Sequence, residues 1–152
     1  MGLEAFNIAL RFTGLHEIAG EKDNPFIQWC LSLCSGFDGE TPDEVPWCSA
    51  FMNGCHFLAG LPRTKSAAAR SWLRLGLRIP IAAAARGDVV VLKRGGGEQP
   101  GVEVLQAQGH VGFFAGLSPD GQFVRVLAGN QGDSVNIESF PIDRVLAVQR
   151  VS

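Results

Sequence analysis

An α+β domain is predicted from this sequence on two observations. In the first half of the chain apolar residues recur at helical intervals with capping residues between them, whereas after Pro80 the texture changes to short β-branched runs separated by turn residues. Strands joined by such short connections must lie antiparallel, and helices gathered ahead of an antiparallel sheet make an α+β fold.

Each element has its own local reason. Leu3, Phe6, Ile8, Ala9, Leu10 and Phe12 recur at helical spacing before Gly14, which predicts a first helix. Asn24-Pro25 supplies a cap and a first-turn proline for a second, with Ile27, Cys30, Leu31 and Cys34 as its apolar face and Gly36 closing it. Ser35 to Pro46 is a polar loop punctuated by Pro and Gly; it delivers the chain to Trp47 and Cys48 and could wall a cleft. A third helix is expected from about Cys48 to Ala59, with Phe51, Cys55 and Leu58 on the face that carries Cys48. A short fourth helix, about Ser66 to Leu75, follows Pro62.

Strands are expected over Gly87 to Lys93, Val111 to Gly116, Phe123 to Ala128, Ser134 to Ser139 and Val145 to Val151. A loop from Arg94 to Gln108 separates the first two. Ser118-Pro-Asp-Gly121 reads as a hairpin connection, Gln131-Gly-Asp133 as a turn, and Ala82 to Ala85 as a helical turn or spacer.

Composition narrows the function classes. A chain of 152 residues, 46% hydrophobic and 18% charged, can bury a single sizeable core, so one domain spanning 1–152 is expected. With 13 basic against 15 acidic residues it carries no broad field for nucleic acid or an anionic membrane. No apolar run reaches the roughly 18 residues that span a bilayer. The N-terminus has no basic segment and carries Glu4, so it does not read as a secretory signal.

Four cysteines raise the question of a disulfide or a zinc site. Cys30 and Cys34 lie four apart and Cys48 and Cys55 seven apart within helical patterns, where neighbouring thiols rarely meet disulfide geometry. Zinc could recruit His56, but the cysteine spacing lacks the turn of a zinc knuckle. Cys30, Cys34 and Cys55 therefore read as reduced core thiols, and neither metal nor cofactor is expected.

Cys48 is different because of its position. A thiol at a helix start gains from unpaired backbone N–H groups and the positive end of the macrodipole, which favour the thiolate. His110, in Gly109-His-Val-Gly-Phe-Phe114 at the head of a strand, is the candidate base across a cleft. Other histidines carry blander readings: His56 as a helix-surface or partly buried residue, His16 at a helix end. Asp88 reads as a turn cap or the partner of a basic neighbour.

Pro46-Trp-Cys-Ser-Ala-Phe51, Ala69-Arg-Ser-Trp-Leu73, Gly87-Asp-Val-Val-Val91, Gly109-His-Val-Gly-Phe-Phe114 and Leu127-Ala-Gly-Asn-Gln131 together resemble a group within the NlpC-type and CHAP (cysteine, histidine-dependent amidohydrolase/peptidase) superfamily. The likeness runs from about Asn24 to Arg150. It implies a papain-like core and hydrolysis of an amide bond in peptidoglycan, by a stem-peptide endopeptidase or an N-acetylmuramoyl-L-alanine amidase. Carried over residue by residue, Cys48 matches the nucleophile, His110 the base and Asn130 the polar residue that orients the imidazole. Many relatives place a glutamate near that third position, where this chain has Ala128, Gly129 and Asn130; a neutral amide fixes the tautomer but adds no negative charge. Gln131 is a close rival, since a one-residue slip in a strand reverses the face.

Trp47, Arg70 and Trp72 are candidates to line a glycan- or peptide-binding groove with Gln131, core packing being the alternative for the aromatics. The expected partner is the peptidoglycan stem peptide, with the chain a monomer made in the cytoplasm and acting at the cell wall or periplasm. Delivery would be by a secretion apparatus, as an interbacterial toxin opposed by an immunity protein, or by phage lysis. The competing classes are a catalytically idle wall- or partner-binding module on the same fold and a zinc-structured interaction domain.

Overall fold

A computed structural model describes residues 2–16, 24–34, 47–94, 100–104 and 108–152. The expected closure of the second helix at Gly36 and the loop from Ser35 to Pro46 lie outside those residues, as do parts of the Arg94 to Gln108 loop.

Three α-helices precede the sheet: α1 (Gly2–Arg11), α2 (Pro25–Ser32) and α3 (Cys48–Ala59). Asn24 caps α2 by accepting from the Phe26 and Ile27 N–H groups, with Pro25 in the first turn. Gly60, at φ +70, ends α3 in the left-handed conformation common at helix C-termini. α1 buries Ala5, Phe6 and Ala9 but leaves Leu3 and Leu10 exposed, so its apolar stripe is narrower than its composition suggests.

The strands are β1 (Leu77–Ile79), β2 (Val89–Lys93), β3 (Gly109–Leu117), β4 (Phe123–Gln131), β5 (Ser134–Pro141) and β6 (Val145–Arg150). They form one antiparallel sheet in the order β1-β6-β2-β3-β4-β5, giving the α+β class with a papain-like core. β2 and β3 lie at its centre, with apolar packing on both sides: Val89 and Val91 join the core beneath the helices, Val90 and Leu92 a second core on the opposite face. This is why β2 reads as an unbroken β-branched run rather than an alternating one. α3 packs on β3 and β4 and is buried throughout from Cys48 to His56.

Three details depart from the sequence reading. The fourth helix is a 3₁₀ segment, Ala69–Arg74, and its three-residue period brings Ala69 above Trp72 and Arg70 above Leu73, all buried, while Arg74 faces out. Leu58 does not share the buried face of Cys48: α3 emerges from the core at Phe57, and both residues are half exposed. β1 was not expected; Leu77 on it is 69% exposed, and the strand exists through pairing with β6 rather than through an apolar pattern.

Candidate active site

Cys48 is the first residue of α3, and β3 carries His110 beside its start. Trp47 stands at the N-cap position, where its side chain does not bond the first-turn N–H groups, so the positive helix end remains directed at the sulfur. The indole is accommodated by Gly129 of β4: a Cβ there would lie 2.4 Å from Trp47 Cζ3 and 3.1 Å from Phe51 Cβ. A side chain at 129 would push the start of α3 off the sheet.

The Cys48 thiol and the His110 imidazole are hydrogen-bonded, and the Val111 backbone N–H also donates to the sulfur. Burial alone would push the thiol up, yet these two bonds and the charges of His110 and Arg94 outweigh it and hold Cys48 below the ordinary thiol range. For His110, burial pulls the imidazole down, and the bond and charge of Cys48 together with the Gln131 bond more than restore it; Arg94 opposes them. One shift lowers the thiol and the other raises the imidazole, so the pair favours thiolate beside imidazolium.

Gln131, rather than Asn130, holds the far side of the ring: His110 Nε2 and Gln131 Oε1 are 2.9 Å apart. The cause is a bulge. β4 pairs with β5 as Ala128↔Asn136 and then as Gln131↔Ser134, so β4 contains one extra residue. Asn130 takes the left-handed conformation there, at φ +61, which asparagine tolerates better than most side chains. Past the bulge the alternation is reversed, and Gln131 occupies the side on which Asn130 would have stood. Gly132 and Asp133, both at positive φ, then turn the chain into β5. Asn130 is half-buried and lines a cavity of about 260 Å³ beside the imidazole, together with Arg94, Gln131, Glu138, Phe140 and Arg144.

The other expected groove residues lie elsewhere. Trp47 and Trp72 are fully buried, and Trp72 Nε1 donates to Ser49 Oγ at 2.9 Å, so both are core residues of the α3 packing. Arg70 is fully buried too; it donates to the carbonyls of Pro100, Gly101, Val104 and Gln108 and thereby ties down the approach to β3. The sequence could not separate groove from core for these three, because their partners are distant in the chain.

His56 is fully buried, not superficial: it stacks on Phe113, meets the Trp72 ring edge-on, and bonds the Pro62 carbonyl through Nδ1. Asp88 does both things expected of it, accepting from the Ala85 N–H and pairing with Arg150 at 2.7 Å. All four cysteines are free thiols. Among the described residues no group of three or more His, Cys, Asp or Glu side chains is gathered to hold a metal, and no helix is long and apolar enough to cross a membrane.

The arrangement can supply a nucleophile, a proton donor and acceptor, and backbone donors at one point. No family model matches the sequence, and no curated protein matches it either. Among solved structures it is similar to the crystal structure of the P60 domain from an antigen of M. avium subspecies paratuberculosis, with a TM-score of 0.52 and 17% identity over 98% of this chain and 96% of that one. At that identity the likeness establishes the fold: this chain shares the α+β architecture of that P60 domain along nearly its whole length.

Proposed function

We propose that this protein is a cysteine hydrolase that cleaves an amide bond of peptidoglycan, within the stem peptide or between sugar and peptide. The observation that carries the reading is the hydrogen-bonded Cys48–His110 pair at the start of a buried helix, on a fold similar to a P60 domain, a domain of the NlpC/P60 family. The peptidoglycan substrate class comes from that likeness and from the five sequence motifs.

In this mechanism the Cys48 thiolate attacks the amide carbonyl, forming a C–S bond and an oxyanion. The His110 imidazolium gives its proton to the leaving nitrogen as the C–N bond breaks, and the thioester remains. Neutral His110 then takes a proton from water, which attacks the thioester and releases Cys48. The Cys48 backbone N–H at the helix start would serve as a donor to the oxyanion, and donors of this kind contribute about 3 kcal/mol where they have been removed.

Digestion of purified sacculi followed by mass spectrometry of the released muropeptides tests the reading and identifies the bond. Wild-type protein is expected to release fragments, while folded Cys48→Ala and His110→Ala variants release none. Delivery by a secretion apparatus or by phage lysis is a further part of the proposal. Killing of neighbouring cells that depends on the secretion apparatus and is relieved by a co-encoded immunity protein tests the first route.

A further inference from the structure

Gln131 can face His110 in two ways, and only one leaves a working base. With Oε1 toward the ring, His110 must carry its hydrogen on Nε2, leaving Nδ1 to receive the thiol proton. With the amide turned over, its N–H would force the opposite tautomer and Nδ1 would already be protonated. The side-chain carboxamide is held in the first orientation by what lies behind it. Gln131 Nε2 is 2.9 Å from Asn136 Oδ1, 2.9 Å from the Asn136 carbonyl and 3.3 Å from the Val126 carbonyl. All three are acceptors, so a turned amide would set its oxygen against three oxygens.

Asn136 is itself oriented without ambiguity. Its Nδ2 donates to the Gln131 carbonyl at 2.8 Å and to Ser134 Oγ at 2.9 Å, which leaves Oδ1 aimed at the Gln131 amide. The same side chain therefore bridges the backbone and the side chain of Gln131 across the bulge, where the regular ladder between β4 and β5 is interrupted.

We propose that Asn136 of β5 is a positioning residue for the Cys48–His110 pair, acting through Gln131 to select the His110 tautomer that accepts the thiol proton. The inference rests on the catalytic reading of Cys48 and His110 but extends it to an edge-strand residue whose bonds run to Gln131 and Ser134 rather than to either of them. A neutral two-amide relay would do here what a single carboxylate does in relatives that carry one.

The test measures alkylation of Cys48 by iodoacetamide against pH, in full-length protein with Cys30, Cys34 and Cys55 left in place and the modified peptide read by mass spectrometry. Asn136→Leu removes the bridge and is expected to slow alkylation near pH 6.5 by about tenfold and to move the thiol's titration upward, an effect the size of one lost charge-linked hydrogen bond. Asn136→Asp keeps an acceptor toward Gln131 Nε2 while losing the donor to the Gln131 carbonyl, and is expected to retain more of the wild-type rate than Asn136→Leu. Nitrogen-15 shifts of the His110 ring, recorded in a Cys48→Ala background at alkaline pH where the ring carries a single proton, should show Nε2–H with Asn136 intact and with Asn136→Asp, and a mixed tautomer with Asn136→Leu. An unchanged pH profile and tautomer in folded Asn136→Leu would overturn the proposal, as would equal losses in Leu and Asp variants. Because alkylation needs no peptidoglycan, failure of wild-type protein to digest sacculi would refute the proposed function and leave this result legible.

Discussion

Helix α3 has a cysteine and a histidine near each of its ends, and the two neighbourhoods behave in opposite ways. At its start Cys48 meets His110 from β3; toward its far end Cys55 and His56 follow each other in sequence. All four side chains are buried. Burial pushes both thiols up, and Cys55, with nothing to oppose it, ends far above the ordinary range, whereas Cys48 falls below it. Burial likewise pulls both imidazoles down; the Pro62 carbonyl only partly offsets this for His56, while the thiol and Gln131 carry His110 above its ordinary value. The opposite shifts come from partners supplied by the sheet, since burial by itself moves both thiols up and both imidazoles down.

The largest test of that contrast removes each thiol in turn. Cys48→Ala is expected to abolish hydrolysis of sacculi, a loss of at least about a thousandfold as for other nucleophile deletions, and to leave no rapidly alkylated site; Cys55→Ala should keep both. Rapid modification of Cys55 in the native protein would break the comparison.

Next in size is His110→Ala, which should slow Cys48 alkylation near neutral pH by about a hundredfold as the thiol returns to its buried, protonated state. In wild type the lowered Cys48 and raised His110 define a bell-shaped profile of activity. Activity is expected to fall on the acid side as the thiolate is protonated, and on the alkaline side as the imidazolium that donates to the leaving nitrogen is lost. A profile still rising through the ordinary thiol range would contradict the sign of both shifts.

A smaller effect sharpens the comparison by disturbing only one end of the helix. Gly129→Ala should cost about 1–3 kcal/mol in urea unfolding, the usual penalty for overpacking, because the new methyl meets the Trp47 ring. It should also slow Cys48 alkylation while leaving Cys55 as inert as before.

The smallest effect concerns the inert end. The depressed His56 imidazole is neutral in the fold while its unfolded form begins to protonate below about pH 6.5. Stability should thus be full above that pH and decline as pH falls toward the folded value. His56→Gln, which keeps a donor for Pro62, is expected to flatten that acid-side decline in Tm even if its Tm at neutral pH is lower.

Much of this was legible in the sequence. The bounds of α3 and the candidacy of Cys48 and His110 follow from residue type, helix periodicity and glycine-flanked strand pattern, all local properties. For the orienting residue the resemblance favours Asn130, with Gln131 as its rival, whereas the structure sets Gln131 against His110. The Ser118–Gly121 hairpin brings the residues near His110 and Asn130 to the same end of the sheet, and the register Phe113↔Leu127 carried forward would set Asn130 opposite His110; one extra residue in β4 gives that place to Gln131, and alternation cannot reveal a bulge before the strand pairing is known. Asn130 followed by Gln131 and Gly132 was the available signal, since asparagine and glycine are the residues that tolerate positive φ. Arg70, Trp47 and Trp72 eluded assignment for a related reason: each is a residue type common to grooves and cores, and the contacts that decide between them come from Pro100 to Gln108, Gly129 and Ser49.

The Arg70 guanidinium has a consequence for how the molecule opens. Its Nη1 is shared among Pro100, Gly101 and Val104, and its Nε holds Gln108, two residues before the imidazole. A single side chain thus cross-links that stretch to the 3₁₀ segment, and its bonds would be released together rather than one at a time. Amide exchange along 100–104 and 108–110 should accordingly proceed in concert, and a protease that nicks there would report the detachment of His110 from Cys48.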